Sequence, residues 1–244
     1  MKLRRRASAR PFVVILLGLV IIGAGGWWVT NSVLFELRTL RVSGNSHVSP
    51  EDVARMGGLT EHTNVLWFSS SVVERSLERN PWILSARISR VLPSVIAVAI
   101  EERVPVAILT PGRWLVAADG TVLASADGAT GLPEVTVAET GLRVGLRLLT
   151  PPPELTMLGS LPSGLLRNVA SVAGQSGNLT LTLRSGVTVI YGDASRATEK
   201  ARALQSVLTW TSRNGVHPAY VDVRAPTTPA LLPASAAIPG MNTP

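Results

Sequence analysis

The stretch ARISRVLPSVIAVAIEERVPVAIL, residues 86–109, decides the fold of the segment around it. It holds two runs of alternating apolar residues that are separated by Pro93. In the second run Ile96, Val98 and Ile100 share one face of a strand, and the smaller residues between them share the other. The two runs therefore predict a β-hairpin with one bulky face that can pack against helices.

Two short helices are predicted upstream of this hairpin. The first begins at Ser49-Pro50, a cap followed by proline at the first helical position, and ends at Gly57-Gly58. The second begins at Ser69 to Ser71, where Ser71 has capping-box spacing to Glu74, and it ends at Asn80, before Pro81. With a strand predicted over residues 34–42, the order is β-α-α-β-β, a three-stranded sheet covered on one side by two helices.

Basic residues are concentrated at the N-terminus. The chain has 244 residues, a formal net charge of +7 and a sequence pI of about 11.1, values that could suggest nucleic-acid binding. Five basic residues precede residue 11, however, and the rest of the chain has 18 basic against 16 acidic residues. Because no basic stripe with interleaved aromatic residues follows, no nucleic-acid partner is expected.

The segment PFVVILLGLVIIGAGGWWV, residues 11–29, has no charged side chain. A helix of this length, at about 1.5 Å per residue, is nearly as long as the hydrocarbon core is thick. We predict a single-pass transmembrane helix over residues 11–31 of a type II membrane protein, with residues 1–10 as a cytoplasmic basic tail. The alternative is a cleaved signal peptide, but Trp27 and Trp28, directly after the small residues, favour a retained anchor.

Two hairpins and a helix are predicted in the second half. Residues 114–123 contain an Asp-Gly turn between apolar runs, and residues 179–191 form two strictly alternating strands around a turn. Helical spacing covers residues 193–211, and residues 219–224 form a final strand. Loops and short strands are expected over residues 124–160, which are rich in Gly, Pro and Thr.

The final strand is expected to be an exposed sheet edge. Residues 226–244 contain five prolines and no charge, which predicts a disordered tail. An edge strand presents unpaired N–H and C=O groups to which a partner segment can add. Asp222 is interpreted as a structural acceptor, with a role in partner choice as the alternative. Arg224, whose guanidinium can hold a carboxylate, is the better contact candidate, and Pro226 and Pro229 would shorten the binding edge.

The residues that could carry catalysis or hold a metal are dispersed. His47, His62 and His217 show no metal-ligand spacing and are interpreted as solvated turn residues. The serines at 69–71 are explained by helix capping, and adjacent Glu101 and Glu102 would point to opposite faces of a strand. The chain has no cysteine. We therefore expect no enzyme, no cofactor and no metal.

The motifs resemble those of the FtsQ/DivIB cell-division family, whose exported part is a POTRA domain followed by a β domain. For the POTRA domain the matching residues are Val42-x-Gly44-Asn45, Asn64-Val65-Leu66, Pro81 with Ala86-x-Ile88-x-Arg90-x-Leu92-Pro93, and Glu102-Arg103-x-Pro105-Val106-Ala107. For the β domain they are Trp114-x-Val116-x-x-Asp119-Gly120, Gly186-x-x-Val189-x-x-Gly192 with Lys200, and Tyr220-Val221-Asp222-Val223-Arg224. The resemblance covers about residues 1–225.

The resemblance implies an α+β protein: a single transmembrane helix, a POTRA domain over residues 32–106, and a mainly antiparallel β domain over residues 107–225 with a C-terminal helix and an edge strand. Family members are single-pass divisome components of the cytoplasmic membrane that hold FtsB and FtsL (DivIC in other lineages) at the division septum. The implied contacts with the FtsB-type partner are Tyr220, Val223, Arg224, Ala225, Thr227 and Leu231.

Two other functions are considered. POTRA domains also receive unfolded clients ahead of outer-membrane barrels, but residues 107–225 contain too few alternating strands for a barrel. The other possibility is a secreted binding protein that is released by cleavage near Trp27. We therefore predict a non-enzymatic divisome scaffold that couples septum assembly to peptidoglycan synthesis.

Overall fold

The structure is a computed structural model that describes residues 10–175 and 177–234, so the predicted basic tail, except Arg10, lies outside the described residues. The chain divides into two compact units, Met1–Glu102 and Arg103–Pro244. The first unit begins with helix α1 (Arg10–Thr30, 21 residues), whose side chains are described from Val14 onward. In the part of the chain that the structure describes, none of the helices combines the length and the apolar character needed for a membrane crossing.

The rest of the first unit has the predicted β-α-α-β-β order. Its elements are β1 (Thr39–Ser43), α2 (Pro50–Gly57), α3 (Ser70–Leu77), β2 (Ile83–Val91) and β3 (Val95–Glu102). The sheet order is β1-β3-β2, with β1 parallel and β2 antiparallel to the central β3. Ile96, Val98 and Ile100 are 0%, 1% and 6% exposed and join Val53 of α2 and Leu77 of α3 in one core. The bulky face predicted for the hairpin is therefore confirmed.

The two helix starts differ from each other. Ser49 caps α2 as predicted, since its side chain accepts a hydrogen bond from the Asp52 N–H. The predicted capping box at Ser71 and Glu74 is wrong, because the N-cap of α3 is Ser69, two residues before Ser71, and Ser69 makes no side-chain cap bond. Glu74 instead accepts a hydrogen bond from the Ile88 N–H at 2.9 Å.

Glu78, at the C-terminal end of α3, also accepts a hydrogen bond from a backbone N–H of β2. Glu78 Oε1 accepts from the Ala86 N–H at 3.3 Å, two residues before the N–H that Glu74 occupies. Both amides belong to β2, which lies at the edge of the three-stranded sheet. Carboxylates on such an edge block the pairing of another strand. The carboxylates of Glu74 and Glu78 therefore close this part of the edge of the three-stranded sheet.

Glu102, the last residue of β3, holds the loop that follows β1. Its carboxylate accepts the backbone N–H groups of Ser46, His47 and Val48 at 2.8–3.0 Å. His47 also places Nδ1 3.1 Å from Glu102 and stacks on Trp82 with a ring-centroid distance of 4.2 Å. The side chain of His47 is nevertheless 54% exposed, which agrees with the expected turn residue; its contacts with Glu102 and Trp82 were not predicted.

The pKa of Glu102 reports on this loop. Burial raises the pKa, but the hydrogen bonds from Val48, Ser46 and His47 outweigh it, so the pKa lies below the usual 4.5. A carboxyl whose folded pKa is lowered contributes stability above its unfolded pKa, and this contribution is lost as the pH falls through the folded pKa. The contribution is therefore complete at neutral pH, begins to fall near pH 4.5 and is lost as the pH passes through the lower pKa of the folded state.

A Glu102→Gln variant is expected to lower the free energy of unfolding of the first unit by about 1.5–3 kcal/mol at neutral pH, because a neutral amide replaces a charged acceptor. The difference from the parent chain should vanish in acid, where the parent is protonated too. Amide hydrogen exchange of the β3 core residues in detergent-solubilised chain, measured at neutral and acidic pH, would check this. A difference that persisted unchanged into acid would contradict the role of the charge, and Glu101→Gln on the exposed neighbour is the control.

The second unit contains two sheets and three helices within the described residues. Its elements are β4 (Pro105–Thr110), β5 (Trp114–Ala117), β6 (Val122–Ser125), β7 (Glu134–Thr136), α4 (Pro153–Ser160), α5 (Ser163–Leu166), β8 (Val169–Gln175), β9 (Asn178–Leu183), β10 (Thr188–Gly192), α6 (Ala197–Arg213), β11 (Pro218–Asp222), β12 (Ala230–Pro233). A 3₁₀ turn at Val33–Phe35 belongs to the first unit, between α1 and β1.

The sheet orders of the second unit are β6-β5-β4-β7 and β12-β11-β10-β9-β8. Both predicted hairpins are confirmed, as β5–β6 and β9–β10, and the predicted helix corresponds to α6. Two helices, α4 at the end of the Gly- and Pro-rich region and α5 just after it, were not predicted. α4 contributes Leu155, Met157 and Leu158, all 0% exposed, to the core of this unit, and α5 contributes buried Leu165 and Leu166.

Candidate protein-interaction edge

The C-terminal margin of the five-stranded sheet is β12, whereas the sequence predicted β11. β11 pairs in parallel with β10 on one side and antiparallel with β12 on the other. The expectation that the last predicted strand has an open edge is therefore wrong. The predicted disorder of residues 226–244 is also wrong for residues 226–234; residues 235–244 lie outside the described residues.

The prolines that argued against a further strand lie where they do not interrupt the ladder. Pro226 and Pro229 belong to the connection after β11, where the Thr228 N–H donates to the Ala225 carbonyl at 3.0 Å. Leu231 then packs against the core of the unit opposite buried Val221. The connection thus satisfies its own backbone, and one apolar side chain holds β12 in register.

The hydrogen bonds of β11 show which groups of β12 face outward. The Val223 N–H donates to the Ile190 carbonyl of β10 at 3.0 Å. Backbone groups alternate sides along a strand, so the N–H and C=O groups of Tyr220 and Asp222 point toward β12. There these two residues pair with Leu232 and Ala230. The N–H and C=O of Leu231, between these two pairs, therefore point away from the sheet.

Within the regular register of β12, residues 230–232 pair with β11 and Leu231 is the outward position. The register becomes irregular at Pro233, which has no N–H, so Leu231 supplies the N–H donor of this short edge. Short edges that contain proline limit uncontrolled pairing with other chains. The unpaired part of this edge is therefore short.

Both faces of this margin carry accessible apolar side chains. On one face, Tyr220 and Leu232 are cross-strand neighbours and are 49% and 50% exposed. On the other face, Leu231 lines an apolar groove with Val207 and Trp210 of α6. An added strand would therefore find apolar contacts for its side chains on both faces.

Asp222 and Arg224 form an ion pair at the start of the connection. Arg224 Nη2 lies 2.6 Å from Asp222 Oδ2, and the Arg224 N–H donates to Asp222 Oδ1 at 3.0 Å. The hydrogen bond from Arg224 lowers the pKa of Asp222, and the same bond raises the pKa of Arg224. The interpretation of Asp222 as a structural acceptor agrees with this geometry, and a partner carboxylate would have to share Arg224 with it.

The structure brings most of the predicted contact residues together around the connection between β11 and β12. Val223 is the exception: its side chain is 0% exposed and belongs to the core, because strand alternation turns it toward the side that Val221 occupies. Leu232 and the outward N–H of Leu231 were missed. The signal that could have found them is the apolar run Ala230-Leu231-Leu232 that follows Pro229. The other predicted contacts, Tyr220, Arg224, Ala225, Thr227 and Leu231, are at least partly accessible.

Lys200 fixes the start of α6 to the end of β10. The side chain of Lys200 is 4% exposed, and its Nζ lies 3.0 Å from the Asp193 carbonyl and 2.6 Å from Asp193 Oδ1. The hydrogen bond from Lys200 lowers the pKa of Asp193 to about 2. Tyr191, which is fully buried, donates its hydroxyl to the Ala197 carbonyl at 2.6 Å. These contacts position α6, and with it the groove beside β12.

No catalytic constellation is assembled among the described residues. They contain no group of three or more His, Asp or Glu side chains that could hold a metal ion. Ser69 and Ser71 hydrogen-bond to each other at 3.3 Å, and Glu102 is occupied by the loop after β1. The accessible features of the second unit are instead an open strand edge and apolar side chains beside it, which suit protein–protein contact.

The fold and this edge define a class of protein: a POTRA domain followed by a β domain that has an edge strand at its C-terminal margin. Two family models match in the same order, "POTRA domain, FtsQ-type" over residues 35–103 and "Cell division protein FtsQ/DivIB, C-terminal" over residues 107–224. The chain belongs to the FtsQ/DivIB family of cell division proteins, and hence to the components of the division septum.

Relatives named "Cell division protein FtsQ" share most of the chain. The protein of Mycobacteroides abscessus is 31% identical over 90% of this chain and 68% of its own length. The protein of Streptomyces venezuelae is 27% identical over 89% of this chain and 82% of its own length. The protein of Mycobacterium leprae is 29% identical over 90% of this chain and 62% of its own length.

Proposed function

We propose that this chain is a non-enzymatic divisome scaffold that is anchored in the cytoplasmic membrane and binds an FtsB-type partner, together with FtsL, by strand addition to β12. The observation that carries the proposal is the outward N–H and C=O of Leu231 on a sheet edge flanked by exposed Leu232 and Tyr220. Membership of a cell-division family supports a protein partner of the septum.

The proposed anchor is residues 11–31. The support is helix α1, in which every residue from 11 to 30 is uncharged. Ile15, Leu19 and Ile22 are 63%, 62% and 73% exposed, so this helix leaves a large apolar surface uncovered. Such surfaces are normally covered by lipid or protein. We propose an N-terminus in the cytoplasm, on the basis of the five basic residues before residue 11.

A transport chaperone that binds extended clients at the POTRA edge is less well supported. The N–H groups of Ala86 and Ile88 on β2 are already taken by Glu78 and Glu74. Client addition at these positions would require both carboxylates to leave. The β12 edge of the second unit has no comparable carboxylate among the described residues, which favours it as the binding edge.

The proposal is tested with Leu232→Asp in a pull-down with the FtsB-type partner. Leu232 is half exposed, so the substitution should leave the fold intact, while a charge against an apolar partner side chain should cost about 1–3 kcal/mol of binding. Leu149→Asp, on a side chain that is 92% exposed elsewhere in the same unit, is the matched control. Equal capture of both variants and the parent chain would reject β12 as the binding edge.

Localisation tests the septal role separately. A fluorescent fusion of the parent chain is expected to form mid-cell rings during growth, and the Leu232→Asp fusion is expected to form weaker rings if the partner contact retains it there. Uniform membrane staining of the parent fusion would count against a divisome scaffold.

A further inference from the structure

Five exposed apolar side chains lie on the end of the first unit from which α1 emerges. We call this set the α1-side patch; its members are Val33, Leu34, Trp67, Val91 and Leu92, which are 64%, 60%, 64%, 45% and 56% exposed. They come from the turn after α1, the segment before α3, and the hairpin between β2 and β3. Isolated exposed apolar side chains are common, but a cluster drawn from three segments at one end of a domain marks a contact surface.

Hydrogen bonds show that these three segments are neighbours. Thr30 is the last residue of α1, and its carbonyl accepts a hydrogen bond from the side-chain amide of Asn64 at 2.8 Å. The Val65 N–H donates to the Phe35 carbonyl at 2.8 Å, which joins the segment of Trp67 to the turn after α1.

The hairpin is tied to the same end. The Arg38 N–H donates to the Ser94 carbonyl at 2.9 Å, and Arg90 Nη2 donates to the Phe68 carbonyl at 2.6 Å. The Arg90 guanidinium also lies 4.8 Å from the centre of the Phe68 ring. The whole patch is therefore held close to the point where α1 ends.

We propose that the α1-side patch rests in the lipid–water interface and orients the POTRA domain on the membrane surface. The inference rests on the proposed anchoring by α1. If the exposed apolar side chains of α1 lie in lipid, a patch bonded to its last residue lies at the level of the headgroups. Tryptophan prefers this level because its ring is apolar and its N–H is polar, and Trp67 would then join Trp27 and Trp28 there.

Electrostatic attraction contributes little to the proposed contact between the α1-side patch and the membrane. Arg38 and Arg90 lie at this end and are exposed, but Glu36 and Glu61 lie near it as well, each within 4.0 Å of a nitrogen of His62. The two signs nearly balance, so apolar contact supplies the attraction. The contact should therefore form on zwitterionic as well as on anionic lipid, which distinguishes it from a polybasic attachment.

A single-cysteine experiment on the full chain tests the inference, since the natural sequence has no cysteine. Leu92→Cys and Leu84→Cys are each labelled with an environment-sensitive fluorophore after reconstitution in phosphatidylcholine nanodiscs. Leu84 is a matched control: it is also an exposed leucine, 42% exposed, and it lies near the opposite end of β2, about 26 Å away at 3.3 Å per residue. Val91→Cys is the second variant should Leu92→Cys disturb the hairpin.

We expect doxyl-labelled lipid to quench the label at position 92 and to leave the label at position 84 unquenched, with the same result when phosphatidylglycerol is added. Absence of quenching at position 92 in discs that retain the chain would overturn the inference and leave the anchor standing. Emission at position 92 that is shifted to the blue without quenching would show that protein covers the patch, which also overturns it. A chain that does not enter the discs would contradict the anchoring itself.

Discussion

Replacement of Leu231 by proline is expected to weaken binding of the FtsB-type partner by about 5- to 150-fold, because an interface hydrogen bond left unmade costs about 1–3 kcal/mol. The outward N–H of Leu231 lies between the two inward pairs, Tyr220 with Leu232 and Asp222 with Ala230. Proline would remove this donor and leave both inward pairs with their own N–H groups. The binding loss should therefore appear without loss of the five-stranded sheet.

Leu231→Ala is the control that separates the backbone donor from the side chain. It keeps the N–H but removes apolar atoms that pack against the core and line the groove with Val207 and Trp210. Calorimetric titration with a peptide of the partner strand should give the larger loss for Leu231→Pro, with hydrogen exchange of β11 showing that the sheet is retained. If the alanine variant lost as much binding as the proline variant, the groove rather than the strand edge would carry the interaction.

The POTRA fold was predictable because each of its elements has a local signal. Period-two alternation over residues 95–102 fixes which side chains of β3 are buried, and Ser49-Pro50 marks the start of α2. The capping box at Ser71 was a false signal. Its Glu74 has a tertiary partner, the Ile88 N–H, and spacing along one helix cannot reveal a bond to a strand fourteen residues away.

The C-terminal sheet margin was predicted only in part, because β12 lacks a local signal. Tyr220 and Arg224, two of the sequence-predicted contacts, lie beside this margin, but four-residue β12 has too few positions for an alternation to be recognised, and its flanking prolines are typical of a loop. β12 is a strand because of tertiary contacts. It pairs with the backbone groups of Tyr220 and Asp222 in β11, and its Leu231 side chain packs against the core. Its burial depends on contacts with a distant helix, α6, that no local pattern encodes.

Gly44→Ala is expected to cost the POTRA domain roughly 3–5 kcal/mol, a large share of the stability of a domain of this size. Gly44 has φ +78°, and a Cβ there would lie 2.0 Å from the Ile100 carbonyl oxygen. That oxygen belongs to β3, the central strand, so it cannot move aside as a flexible side chain could. The turn also starts the loop whose N–H groups bind Glu102, so a shift at Gly44 would weaken those bonds too.

Gly58→Ala isolates the conformational part of this cost. Gly58 also has a positive φ, +63°, where it ends α2, but a Cβ there would meet no atom within 4 Å. It should therefore cost about 1–2 kcal/mol, the strain of a left-handed residue alone. Hydrogen exchange of the Val98 and Ile100 amides in both variants measures the difference, which is the energy of fitting a side chain against β3. Equal losses would mean that β3 yields to the added methyl group, and that the close approach of the Gly44 turn does not specify where β1 lies in the sheet.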